Sequence, residues 1–264
     1  MKLAILFWFY KEPDICENRL RLLKQYNPDL KIYGLFGGEQ SEADSYRERL
    51  GGYLDDLFVS PSTDPDWKWI HGDLMILEWF ALRGGGLEWD SIAVVQWDML
   101  VLDSLSALFS GLKEGEMVLS GYRELDQEIE RKWSWTKEGG DDRHEYLSFR
   151  EHVKREYGYE RTLPCCLFIF EIFPRIFFEK YLTVSDRTVG MLEYKVPTYA
   201  RIFGIPVCER DLGVWWFEPE EIGERMPMNA VPSAIPEETI RHESRKPDGF
   251  RIFHPYFKEW LAGD

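Results

Sequence analysis

Residues 91–109, SIAVVQWDMLVLDSLSALF, decide the fold that the sequence predicts. Their first part, Ser91–Gln96, is almost entirely apolar, as expected of a strand that is covered on both faces of a sheet. Asp98 follows this strand, and a second apolar stretch, Met99–Leu102, precedes a predicted helix over Ser104–Leu112. A carboxylate between two buried segments is costly unless a positive partner stabilises it. Asp98 is therefore the first candidate for a functional residue.

Apolar runs alternate with helical patterns on both sides of this stretch. The other predicted strands are Lys2–Tyr10, Lys31–Phe36, Leu57–Ser60 and Met117–Gly121. The predicted helices begin at Pro13, Ser41 and Trp69 and end at Tyr26, Leu50 and Arg83. This alternation predicts an α/β fold with a mostly parallel sheet and helices on both of its faces. In such sheets the ligand lies beyond the carboxyl ends of the strands, where Asp98 would stand.

The second half of the chain has a different pattern, and we expect it to complete a single domain. Residues 123–161 are strongly charged and residues 219–249 are rich in proline, which predicts irregular structure. A strand is predicted over Leu163–Phe170, and helices over Pro174–Leu182 and Gly190–Phe203. The aromatic tail Phe250–Trp260 is too apolar to stay in water, so we expect it to pack on the rest of the protein.

The charge balance excludes one broad class of function. The 264 residues include 32 Lys and Arg against 47 Asp and Glu, a net charge of −15, with 44% hydrophobic residues. This composition excludes a wholly disordered chain, and it predicts no binding of nucleic acid through bulk electrostatics. A polyanionic ligand would need a local device, such as a metal ion or helix N-termini.

The four cysteines and the hydropathy pattern indicate where the protein works. Cys16, Cys165, Cys166 and Cys208 form no zinc motif, and a chain of this size needs no disulfide framework, so we expect reduced thiols in the cytoplasm. The opening run Leu3–Tyr10 is far shorter than the ~20 residues that span a bilayer. The sequence therefore predicts no transmembrane segment.

Asp98 suits a divalent cation. Mg²⁺ typically takes one or two carboxylates, while substrate phosphates and water complete its coordination. The alternative is that Asp98 caps a turn or accepts backbone hydrogen bonds.

The stretch Ala93–Phe109 resembles the Asp-x-Asp strand of the GT-A fold glycosyltransferases, above all the glycogenin-like pattern that continues through an apolar stretch to Leu-x-x-Leu-Phe. The opening strand Leu3–Phe9 and its helix resemble the nucleotide-binding start of that fold. The resemblance implies that residues 1–122 bind a nucleotide-diphosphate sugar, that residues 123–264 bind the acceptor, and that Asp98 holds Mn²⁺ or Mg²⁺. Gln96 stands where the family has its first Asp, and its amide can still donate and accept hydrogen bonds with sugar hydroxyls.

The resemblance also implies a late metal-binding histidine, for which His254 is the candidate. Pro255 follows it, the family's glycine is missing, and Lys258 comes two residues early. Lys258 would neutralise phosphate. The alternatives are a histidine within an aromatic cluster and a solvated lysine.

The other implied donor-binding residues lie near the ends of the first strands and beside the motif. Candidates for the nucleobase, nucleotide and sugar are Phe9, Tyr10, Lys11, Lys68, His71, Asp73, Gln96 and Trp97. The alternative for Lys68, His71 and Asp73 is a surface or helix-capping role.

A catalytic base would come from the second half. An inverting transfer needs a carboxylate that takes the proton of the acceptor hydroxyl, and Glu193 is the first candidate, with Asp141 and Asp142 as rivals. Glu193 could instead compensate a helix N-terminus. A retaining enzyme would need no such base. Among the aromatic residues, Trp133, Trp135, Trp215 and Trp216 would stack on an acceptor sugar, cover the donor or simply pack in the core.

We therefore predict a glycosyltransferase that acts on a saccharide or glycan-precursor hydroxyl. A sugar-phosphate nucleotidyltransferase is the alternative enzyme, although Phe9–Ile15 lacks the glycine-rich loop of that group. A non-catalytic nucleotide- or sugar-binding module is the third possibility, because Gln96 departs from the motif.

Overall fold

A six-stranded sheet forms the centre of the structure, a computed structural model that describes residues 1–62, 64–217 and 226–261. The strands are β1 Leu3–Phe9, β2 Ile32–Phe36, β3 Asp56–Val59, β4 Ser91–Gln96, β5 Leu100–Val101, β6 Val118–Leu119, β7 Arg123–Glu124, β8 Pro164–Cys165, β9 Glu171–Pro174, β10 Val214–Trp215, β11 Met228–Asn229 and β12 Ile252–Phe253. The α-helices are α1 Pro13–Tyr26, α2 Ala43–Leu50, α3 Pro65–Ile70, α4 Gly72–Leu82, α5 Leu105–Leu108, α6 Gln127–Lys132, α7 Arg143–Tyr157, α8 Arg175–Tyr181, α9 Leu192–Ile202 and α10 Glu237–Arg245.

The order of strands in the central sheet is β3-β2-β1-β4-β9-β6. Strands β1 to β4 are parallel to one another, whereas β9 runs antiparallel to both β4 and β6. The predicted α/β class and mostly parallel sheet are thus confirmed. Trp8 pairs with Gln96 in the register of β1 and β4, which brings the residues after the two strands to the same edge.

The two faces of the sheet pack into two different apolar clusters. In β1, Ala4 and Leu6 face the side that is covered by α4, α8 and α9, while Ile5, Phe7 and Phe9 face α1 and α2. This alternation within an entirely apolar strand explains why its sequence shows no polar face.

The predicted helix over Trp69–Arg83 is wrong in one respect, because two helices, α3 and α4, meet at His71. Gly72 lies against the Trp8 ring, so closely that a Cβ atom at this position would overlap with it. The close approach of the ring therefore requires glycine where the second helix begins.

The predicted strand over Leu163–Phe170 is also wrong. Within that range only β8 is a strand, and the sheet takes β9 instead, which begins at Glu171. Glu171 is fully buried, and burial raises its pKa well above the usual range. A carboxyl group that lies inside the sheet cannot be recognised from residue type alone.

The tail packs on the body as predicted. Strand β12 pairs with β5, and the buried Arg19 of α1 donates to the backbone oxygens of Tyr256 at 2.7 Å and Lys258 at 2.8 Å. Helix α10 forms within the segment 219–249 that was predicted to be irregular, of which residues 219–225 lie outside the described residues. Among the helices described, none is both long and apolar enough to cross a membrane.

Candidate functional site

A cavity of about 860 Å³ opens at the carboxyl ends of β1 and β4. These strand ends contribute Trp8, Tyr10, Lys11, Gln96, Trp97 and Asp98. The second half of the chain lines the opposite side with the 167–169 segment, Glu193 of α9 and His254, which follows β12. The sheet thus brings both halves of the chain to one cavity, at the edge where ligands bind in open α/β sheets.

Asp98 and His254 face each other across a gap of 3.4 Å between Oδ1 and Nε2. The Nδ1 atom of His254 lies 2.8 Å from the backbone oxygen of Asn229, which can only accept, so Nδ1 carries the proton. In the neutral ring Nε2 is then an acceptor, and the buried Oδ1 of Asp98 has no hydrogen-bond donor. Two acceptors face each other, and only a proton or a metal cation between them completes the pair.

The donor set of this pair fits a divalent cation. An imidazole nitrogen and a carboxylate oxygen are ligands that Mn²⁺ accepts, and the Asn229 contact orients the ring as such partners do in metal sites. Among the described residues no third His, Cys, Asp or Glu joins the pair. A bound ion would therefore take its remaining ligands from substrate oxygens and water.

Gln96 has a structural reason to be an amide. Its Nε2 donates to the backbone oxygens of Phe168 at 3.1 Å and Ile169 at 3.3 Å. An aspartate at this position would face two acceptors, which it could not satisfy when ionised. The departure from the family motif is thus tied to the course of the 167–169 segment.

Three of the predicted donor-binding residues line the cavity beside Gln96 and Trp97. They are Tyr10, Lys11 and Lys68. The Lys11 ammonium lies 4.9 Å from the centre of the Trp97 ring, and Lys68 Nζ donates to the Gly37 oxygen at 2.6 Å. Burial lowers the pKa of Lys68. These two ammonium groups supply positive charge on the side of the cavity that β1 forms.

Other predicted residues do not line the cavity. Phe9 is fully buried against Phe36 and Tyr46, and Lys258 is exposed. Asp141 and Asp142 precede α7 outside the cavity lining. The structure therefore does not bring these four residues together with Asp98.

Asp73 and His71 belong to a buried polar cluster behind the cavity. Asp73 Oδ2 accepts from the hydroxyl of Tyr181 at 2.5 Å and lies 3.1 Å from Lys195 Nζ. Lys195 Nζ also lies 3.3 Å from Nδ1 of His71, whose pKa is lowered by burial and then by the charge of Lys195. The cluster joins α4 to α9 and leaves Asp73 out of contact with the cavity.

Glu193 lines the cavity in the first turn of α9. Its Oε1 accepts from the backbone N–H of Phe168 at 2.7 Å, and burial raises its pKa to about 7. A carboxyl group with this pKa exchanges a proton near neutral pH, which suits general base chemistry.

Sequence reasoning missed the contact that orients His254 and two of the tryptophans of this cavity. Asn229 orients His254 through its backbone, and no residue-type signal could have indicated such a contact. Seven of the eleven tryptophans line the cavity; Trp97, Trp133, Trp135, Trp215 and Trp216 are among the sequence candidates, whereas Trp8 and Trp69 are not. The high tryptophan content was a signal for this, but its concentration in one cavity depends on the fold.

No protein-family model and no curated protein sequence matches the chain. Solved structures with a similar fold include the galactosyltransferase LgtC in complex with donor and acceptor sugar analogues, at 15% identity and a TM-score of 0.43 over 78% of this chain and 72% of that one. A cytidylyltransferase from Leptospira borgpetersenii has 13% identity and a TM-score of 0.40 over 76% and 71%. The bifunctional glycosyltransferase WbbM has 8% identity and a TM-score of 0.41, and the match spans 78% of this chain but 38% of that one. Because these values are low, we take neither activity nor substrate from these proteins.

Proposed function

We propose that the protein is a metal-assisted GT-A glycosyltransferase, which moves a sugar from a nucleotide-diphosphate donor to a hydroxyl of a saccharide or glycan precursor. One observation carries the proposal: Asp98 and His254 present two facing acceptor atoms at the strand-end edge of a large cavity. A protein of net charge −15 needs such a device to bind a diphosphate.

In this proposal Asp98 and His254 hold Mn²⁺ or Mg²⁺, and Asn229 keeps the imidazole oriented. When bound, the ion supplies positive charge that stabilises the departing diphosphate. Lys11 and Lys68 add positive charge at the β1 side of the cavity.

Glu193 acts as the base in this proposal. It accepts the proton of the acceptor hydroxyl, while the Phe168 N–H holds one of its carboxyl oxygens in place. With a pKa of about 7, the carboxyl is partly deprotonated at neutral pH and is basic enough to take the proton. A base at this position favours an inverting transfer.

The proposal is tested by isothermal titration with UDP and GDP, each with and without Mn²⁺. We expect metal-dependent binding of one nucleotide, weakened at least about tenfold in Asp98→Asn, because the carboxylate is one of the two proposed ligands among the described residues. Asp103→Asn is the matched control, since Asp103 lies five residues further on and does not line the cavity. We expect it to bind as the native protein does.

Three outcomes would contradict the proposal. Absence of binding by either nucleotide would leave a non-catalytic module. Tight binding of a nucleoside triphosphate with release of pyrophosphate would indicate a nucleotidyltransferase. Equal nucleotide binding by native protein and Asp98→Asn in Mn²⁺ would remove the metal from the mechanism. If none of these outcomes is found, a screen of nucleotide sugars for donor hydrolysis by the native protein would identify the sugar.

A further inference from the structure

An exposed aromatic side chain stands at the cavity. Trp69, in α3, is 67% exposed, the highest value among the large apolar side chains of the described residues. Its ring centre lies 5.3 Å from that of Trp135, and both residues line the cavity. Leaving most of an indole in water forgoes a large gain from burial, so a ligand that covers it would bind with a favourable contribution from that area.

The two rings are positioned before any ligand arrives. Trp135 is 6% exposed and belongs to the core, and the turn that carries it is held by the backbone N–H of Thr136, which donates to the Trp133 oxygen at 3.0 Å. Trp69 lies in a short helix whose first turn is capped by Asp64. Because both residues lie in structured elements and their rings contact each other, part of the ordering cost is met before a ligand binds.

The geometry of the pair favours a non-planar ligand. The two rings contact each other with their planes inclined by 44°, so a flat group can stack on one of the rings but not on both. A puckered sugar ring presents apolar C–H groups in more than one direction and hydroxyl groups around its edge. Lys68 and Ser134, the sequence neighbours of the two tryptophans, also line the cavity and offer polar atoms beside the rings.

We infer that Trp69 and Trp135 form an outer subsite for a neutral sugar ring of the acceptor, so that the acceptor is an oligosaccharide rather than a single sugar. This inference rests on the proposed function. Glu193 lines the same cavity and accepts the proton of the reacting hydroxyl, while the next sugar unit lies on the tryptophan pair. The subsite therefore sets the minimum length of the acceptor.

The test compares the binding of single sugars and tetrasaccharides by the full-length protein. The probes are maltotetraose, cellotetraose and chitotetraose with their monosaccharides, titrated by calorimetry and by tryptophan fluorescence. We expect at least one tetrasaccharide to bind more tightly than its monosaccharide. Trp69→Ala should lose about tenfold in affinity for that tetrasaccharide, with the monosaccharide unchanged, and Trp69→Phe should keep part of the affinity.

Leu82→Ala is the matched control, because Leu82 is 64% exposed at the end of α4 and does not line the cavity. Equal tetrasaccharide binding by Trp69→Ala and Leu82→Ala would overturn the inference. It would also be overturned if none of the three tetrasaccharides binds the native protein at about 10 mM, roughly ten times a dissociation constant of about 1 mM. If dodecyl alcohol binds at Trp69 more tightly than any of the tetrasaccharides does, the subsite binds an alkyl chain and the inference is overturned.

The nucleotide titration separates this inference from the proposed function. Tetrasaccharide binding that depends on Trp69, without any metal-dependent nucleotide binding, would keep the sugar subsite and reject the transferase. Nucleotide binding that depends on Asp98, together with equal affinities for single sugars and tetrasaccharides, would keep the transferase and reject the subsite.

Discussion

Two buried carboxylates, Asp73 and Asp98, differ in what faces them. Asp73 Oδ2 has a lysine ammonium at 3.1 Å and a tyrosine hydroxyl at 2.5 Å. Asp98 Oδ1 has no donor and faces the acceptor nitrogen of His254. Oδ1 of Asp73 also lacks a hydrogen-bond donor, but Asp73 is paired through Oδ2 with a cation and a hydroxyl of the protein, whereas the pair of Asp98 and His254 is completed by a proton or a bound cation. The difference supports a structural role for Asp73 and the proposed ligand role for Asp98.

The two carboxylates also differ in their relation to the two halves of the chain. Asp73 of α4 and Lys195 of α9 have side-chain exposures of 2% and 0%, so their ion pair joins the halves away from solvent. Asp98 meets His254 at the cavity, where a ligand can reach it. The buried ion pair of Asp73 stabilises the fold, whereas a carboxylate that binds a ligand must be accessible from the cavity, as Asp98 is.

The largest effect is expected from Lys195→Met. It leaves Asp73 as a buried charge without its cation, which should lower the free energy of unfolding by about 3–5 kcal/mol. Urea denaturation measures the change. Lys132→Met is the control, because its ion pair with Glu128 is exposed and should contribute less than about 1 kcal/mol. Equal losses in the two variants would show that the Asp73 pair is not structural.

The next effect concerns Glu193, the second carboxyl group at the cavity. Burial raises its pKa from 4.5 to about 7, so the folded state holds this proton more tightly than the unfolded state does. Its stabilising contribution is complete below pH 4.5 and is lost as the pH rises through about 7. The Glu193→Gln side chain stays neutral at both pH values. The free energy of unfolding of Glu193→Gln, minus that of the native protein, should therefore be about 3 kcal/mol larger at pH 8 than at pH 4.

Denaturation curves at both pH values, for native protein and variant, check this expectation. Glu48→Gln is the control, because Glu48 is exposed on α2 and should reproduce the native pH dependence. If the stability difference between Glu193→Gln and the native protein is the same at pH 4 and pH 8, then burial does not raise this pKa.

The smallest effect on stability is expected from Asp98→Asn without metal. The carboxylate oxygen that is lost accepts no hydrogen bond, so the free energy of unfolding should change by less than about 1 kcal/mol. With Mn²⁺ and nucleotide at 100 times the dissociation constant of the native protein, the native protein should gain about 2.7 kcal/mol, and the variant, which binds at least tenfold more weakly, should gain no more than about 1.4 kcal/mol. A metal-free loss as large as that of Lys195→Met would place Asp98 with the structural carboxylates.

Predictions from the sequence succeeded where a local pattern was enough. Strand β4 begins and ends at the predicted residues, because a short apolar run rich in β-branched residues favours a buried strand over a helix. The prediction of a strand over Leu163–Phe170 was wrong because side chains that are distant in sequence bind the backbone of this segment. The Ser120 hydroxyl accepts from the N–H of Phe170, and Glu193 accepts from that of Phe168.

The candidate site divides along the same line. Apolar periodicity in the first half was sufficient to place Asp98 after a buried parallel strand, at the edge where ligands bind, since side-chain patterning is a property of neighbouring residues. The partner of Asp98 is His254, and the partner of Asp73 is Lys195, and both partners come from the other half of the chain. Only tertiary packing decides such contacts, because residues far apart in sequence impose no pattern on one another.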